Sequence, residues 1–184
     1  VLIASIPLIA FVFAGLFSPG PNVVMLTASG ARFGFRATLP HLLGVPIGTG
    51  LIAAAAALGI GAILLAAPTL KLTLQVLAAL WILWLAWKTA QAGRAGRAED
   101  RGRPFTFVEA ILFQAINPKI WAVTLAASAG FSIGLSPSQE AIRLFAAFCG
   151  MNLAVCLFWT TIGHYLSRYL GAAKMWRMFM TGMA

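Results

Sequence analysis

Two short stretches hold the residues best able to do chemistry. Ser18-Pro19-Gly20-Pro21-Asn22 interrupts one apolar run, and Asn117-Pro118-Lys119 interrupts another. Proline removes a backbone N–H and frees the carbonyl four residues earlier. Each stretch therefore predicts a helix break with unpaired N–H and C=O groups, beside an asparagine that can donate and accept. Such ends suit a zwitterion, with a carboxylate at a helix N-terminus and an ammonium on free carbonyls. Lys119 adds a cation inside an apolar run. A charge deep in a membrane span costs on the order of 3 kcal/mol or more and marks a functional residue by default. It can satisfy the carbonyls freed by Pro118, or it can contact a bound carboxylate or change protonation; both readings stay open.

The elements that must position these residues follow from composition. Of the 184 residues, 61% are hydrophobic and only 9% charged, and the mean hydropathy is +0.92. A soluble domain carries about a quarter charged residues. This excludes an ordinary soluble enzyme, a disordered tail and a secreted disulfide scaffold, and makes lipid the solvent for most of the chain. The net charge of +9 does not indicate nucleic acid, because the basic residues sit in short breaks between apolar runs, as in membrane proteins. Cys149 and Cys156 lie in one apolar run. On a helix they stand about 10 Å apart along the axis, too far for a disulfide, and read as packing residues.

The apolar runs predict an all-α, polytopic transmembrane helix bundle of six spans. The first is one interrupted helix that ends near Arg32. The second runs from about Thr38 to Ala67, with Pro40 in its first turn, and the third from Pro68 to about Ala90. A polar, basic loop over 91–104 follows. The fourth span runs from Phe105 to about Gly130. Ser136, Pro137 and Gln139 then form a capping box that opens the fifth, which continues to about Tyr165. A sixth starts near Ala172, and its thirteen residues cover only about 20 Å as helix, short of the roughly 30 Å hydrocarbon core. The sixth span is thus expected to be incomplete. Glu109 is the one acid placed inside a span, either at a cytoplasmic vestibule or among headgroups. His41 and His164 fall near the cytoplasmic ends of their spans, as interfacial residues.

Parity puts Arg32, Arg36, the basic residues from Lys88 to Arg103 and those from Arg168 to Arg177 on one side, against Lys71 and Arg143 on the other. That side is expected to be cytoplasmic. Asn117 lies about 18 Å past Phe105, and Asn22 about 15 Å before Arg32, so both breaks fall near mid-depth. They belong to spans one and four. Three spans per half make the halves antiparallel, which predicts two inverted three-helix repeats (1–90 and 105–184) in a single domain, with broken helices meeting at the midplane. Transporters place their sites at such points. In span two, Gly44 and Gly48 form a small-xxx-small pair for close helix packing that could also serve a homodimer. Thr49 offers a hydroxyl near the same level.

These residues resemble the LysE/RhtB amino-acid exporters over nearly the whole chain. SPGPN at Ser18 to Asn22, the following Arg32-Phe33-Gly34, the Gly-rich second span, the third span ending WILWLAWKTAQ and NPK at Asn117 to Lys119 are similar in order and spacing. The resemblance implies a six-helix bacterial inner-membrane protein that exports amino acids or similar small solutes on an ion gradient, commonly of protons. It carries over Pro19, Gly20, Pro21, Asn22, Asn117, Pro118 and Lys119 as site residues. The chain departs from the pattern at Thr49, where many members have Asp. With no acid at mid-depth, a neutral, homoserine- or threonine-like amino acid is the expected substrate. No cofactor, metal or hydrolytic motif is expected. The competing readings are a membrane thiol electron carrier, which needs two cysteines able to meet, and a non-transporting membrane partner.

Overall fold

The computed structural model describes residues 2–59 and 102–169. The expected third and sixth spans, most of the basic loop and the end of the second span lie outside the described residues. Among the described residues every regular element is an α-helix: α1 (Leu2–Phe17), α2 (Pro21–Phe33), α3 (Phe35–Ala57), α4 (Phe107–Ile116), α5 (Pro118–Gly130) and α6 (Pro137–Tyr169). α3 and α6 are long and apolar enough to cross a membrane. The pairs α1/α2 and α4/α5 qualify only as bent spans, with bends of 60° and 69° at their breaks. Spans one, two, four and five of the sequence thus each have a helical counterpart.

Local chemistry sets the helix ends. α4 opens with a full capping box in which Thr106 and Glu109 cap each other. Glu109 also makes a two-pronged ion pair with Arg103, at 2.9 and 3.1 Å. It is therefore a first-turn capping residue. α6 opens as the sequence predicted, with Pro137 in the first turn and Ser136 and Gln139 capping each other at 3.2 and 3.4 Å. One boundary differs. α3 begins at Phe35, because Gly34 adopts φ +82° and ends α2 while starting α3, a conformation that favours glycine. Pro40 thus lies inside the helix and not in its first turn. His41, carried two turns in, is buried beneath the edge of the Phe105 ring rather than interfacial.

Glu109 is also not the only acid in a span. Glu140 lies in the first turn of α6 and is buried. It accepts from Ile133 N at 2.8 Å, Ser132 Oγ at 3.1 Å and Arg143 Nε at 2.8 Å, while Arg143 Nη2 donates to Phe131 O. Hydrogen bonds to Ile133 N, Ser132 Oγ and Phe131 O supplement the Coulomb attraction of this pair. It pins the 131–136 turn to the start of α6.

α3 and α6 form the centre, and the other helices pack on one or both of them. Contacts fix the directions. Along α3, His41, Gly44, Gly48 and Ala56 meet Phe105, Phe107, Ile111 and Ser128 in turn, so α3 runs with α4/α5. Leu42 and Val45 share a core with Cys156, whereas Ala53 shares one with Leu144 and Phe148, so α3 and α6 are antiparallel. Phe17 meets Phe158 and Trp159, and Gly34 lies against His164, so α1/α2 runs with α6. The two bent rods therefore point in opposite directions.

Glycines permit the close crossings. A Cβ on Gly44 would collide with Phe107 O and Ala110 Cβ, and one on Gly48 would lie 2.7 Å from Gln114 Cγ and 2.9 Å from Ile111 Cα. α4 thus covers this small-residue face from within the chain, the face a homodimer would have used. A second crossing joins α2 to α6, where Gly30 lies on Thr160 O and Gly163 on Thr27 O.

Candidate functional site

The two breaks come together. At the second, Pro118 can give no N–H to Gln114 O, and Asn117 N takes that carbonyl at 3.2 Å. Ala115 O would ordinarily receive Lys119 N. That N–H turns instead to Asn117 Oδ1 at 3.2 Å, an N-cap for α5, and Trp121 Nε1 fills Ala115 O at 2.8 Å. Gln114 O and Ala115 O are thus met locally, without the Lys119 side chain. Its side chain crosses to the first break, where Nζ donates to Ser18 O and, at 3.3 Å, to Pro19 O. Of the two readings open in the sequence, the one that placed this ammonium on carbonyls freed by Pro118 is corrected: it meets carbonyls of the other half of the chain.

Beside this contact, Asn22 Nδ2 donates to Gln114 Oε1 at 2.8 Å, and Gln114 Nε2 donates back to Asn22 Oδ1 at 3.2 Å and to Ala110 O at 3.0 Å. Gln114 is fully buried. This reciprocal amide pair and the Lys119 contact are polar links between the bent rods.

A narrow cavity lies between the rods and α6. Gly20, Pro21, Asn22, Asn117 and Lys119 line it together with Asn152, Trp159 and apolar walls that include Ile120 and Val155; its volume is about 10 Å³. That is space for about one water molecule and not for an amino acid, so the rods are closed on each other. Two donors of lining residues, Asn117 Nδ2 and Trp159 Nε1, are buried without a hydrogen-bond partner. Unmet donors of this kind call for an acceptor.

Of the other residues singled out in the sequence, Thr49 is buried behind the cavity and accepts from Asn152 Nδ2 at 2.8 Å. Ser18, Pro19 and Pro118 are exposed among the described residues: Pro19 contributes its carbonyl, and Pro118 begins α5. Gly44 and Gly48 do not line the cavity, although Gly48 leaves the space in which Gln114 lies. Gln114, Asn152 and Trp159 were not anticipated. Cys156 donates to Asn152 Oδ1 at 3.6 Å, and both cysteines are free, two turns apart on α6.

Two Pro-broken antiparallel rods thus meet at two asparagines, a glutamine and a lysine. The sequence model of LysE type translocators matches residues 13–184. The chain belongs to this family. No curated protein and no solved structure matches it. As a LysE type translocator the protein is a membrane transporter and not an enzyme, of a family associated with export of amino acids or similar solutes.

Proposed function

We propose that the protein exports a neutral amino acid of homoserine or threonine type from the cytoplasm across the bacterial inner membrane, driven by the proton gradient. The observation that carries the reading is the meeting of both breaks at one cavity, lined by Asn22, Asn117 and Lys119. Pro19, Gly20, Pro21, Pro118 and Thr49 complete the site, the prolines by holding the breaks open and Thr49 by steering Asn152. No carboxylate lines the cavity among the described residues, which favours a neutral substrate over a cationic one. The excess of arginine and lysine in the odd-numbered breaks supports cytoplasmic placement of those breaks.

The halves act as inverted repeats. Exchanging α1 with α4, α2 with α5 and α3 with α6 converts the α2–α6 packing into α5–α3 and the α3–α4 packing into α6–α1, and all four pairings occur. Such halves rock against each other around a fixed site. The closed cavity is one stage of that cycle, and opening requires the Lys119 and Asn22–Gln114 links to part.

The test is efflux from proteoliposomes loaded with a panel of amino acids, with and without a proton gradient, for the full-length protein and its Asn22→Ala and Asn117→Ala variants. Efflux of a neutral amino acid that depends on the gradient is expected. Both variants should lose it while inserting normally. Variants that transport at the wild-type rate reject the assignment of the site.

A further inference from the structure

Lys119 shows what the first break binds. Ser18 O and Pro19 O lie beyond the last turn of α1, and Pro19 and Pro21 have no N–H with which to form a turn there. The C-terminal end of a helix concentrates negative charge. The group placed on these two carbonyls is a primary ammonium, from a residue about a hundred positions away in sequence. The α-ammonium of an amino acid is the same group, with the same charge and three N–H donors. Gly20 keeps the approach open, since a Cβ there would lie 2.9 Å from Lys119 Cδ and 3.0 Å from Nζ. The same cavity holds the unmet donors Asn117 Nδ2 and Trp159 Nε1. The carbonyls of Ser18 and Pro19, next in sequence to the lining residue Gly20, are thus taken by the protein's own side chain, while the donors of the cavity wait for an acceptor.

We propose that the Ser18 and Pro19 carbonyls are a primary-ammonium site, which Lys119 fills as a tethered internal ligand in the closed state and which the substrate's α-ammonium takes by displacing it. This rests on the export reading above. One cation replaces another on the carbonyls, so no bare charge is left in the apolar surroundings. The displaced Lys119 then faces the carboxylate of the incoming molecule beside Asn117 Nδ2, and the link between the rods is broken. The exchange selects for a free primary amine. N-acetyl amino acids and hydroxy acids carry the carboxylate but cannot displace Lys119, and are not exported.

The test uses full-length protein in nanodiscs and reads thermal unfolding. The Lys119→Ala variant vacates the carbonyls, and ethylammonium chloride is the probe. At about 20 mM it is expected to raise the variant's Tm by roughly 3 °C and to leave the wild type unchanged. Tetramethylammonium, equally charged but without N–H, should do nothing to either. An equal response of wild type and variant, or no response of the variant, overturns the proposal. Should Lys119→Ala not fold, Lys119→Met keeps the stem and is tested with methylammonium, with the same two outcomes. The readout is binding and separates the two claims. If the export reading fails, no amino acid leaves wild-type proteoliposomes while ethylammonium still stabilises the variant. If this proposal fails, efflux persists without that stabilisation.

Discussion

At the scale of single residues, Asn22 and Gln114 exchange amide hydrogen bonds across the two rods, with Gln114 fully buried. Gln114→Met keeps the side-chain length and leaves Asn22 without a partner, an expected loss of about 1–3 kcal/mol. Thermal unfolding in nanodiscs should show a lower Tm, and efflux should fall with it. Thr49→Val preserves shape but removes the acceptor of Asn152 Nδ2. Asn152 is then free to turn toward the cavity, and the expected change is in the KM for efflux more than in protein yield. Asn22, Asn117 and Lys119 were legible in the sequence because each stands beside a proline in an apolar run. Gln114, Asn152 and Trp159 were not, because each is an unremarkable residue within a helix. Their roles come from partners that only the fold supplies: Gln114 meets Asn22, and Asn152 meets Thr49, across separate helices.

At the scale of elements, the breaks and the capping box of α6 follow from proline and side-chain oxygens at fixed offsets, which are local properties and readable. The start of α3 is not, because nothing in Phe33-Gly34-Phe35 distinguishes a loop from a one-residue hinge at positive φ. The bend of α4/α5 has two causes, the missing N–H of Pro118 and the cap by Asn117. Pro118→Ala alone should leave the bend in place, whereas Asn117→Ala with Pro118→Ala should straighten the rod. Distance measurements between spin labels on α4 and α5 would separate the two outcomes. The α2–α6 crossing depends on backbone contact at Gly30 and Gly163. Gly163→Val forces the helices apart, with an expected cost of about 1–3 kcal/mol or more, visible as a lower Tm.

At the scale of the whole molecule, composition alone pointed to lipid as solvent, and the matched depth of the breaks pointed to their meeting. The asymmetry of basic residues predicts an orientation that can be checked in cells. In a background with Cys149→Ala and Cys156→Ala, Ser138→Cys should react with a membrane-impermeant maleimide from outside. Gly102→Cys should react only after permeabilisation. The reverse pattern would invert the direction of transport proposed above. What composition could not reveal is which side chains bridge the halves, since that depends on the rotation of each helix about its axis.

The slightness of the space between the rods also bears on the energy economy of the cell. A chamber with space for about one water molecule cannot sustain an unbroken file of water along which protons hop. While the described rods rest against each other, this chamber offers protons no such file, and the proposed closed stage does not short-circuit the membrane voltage by that route.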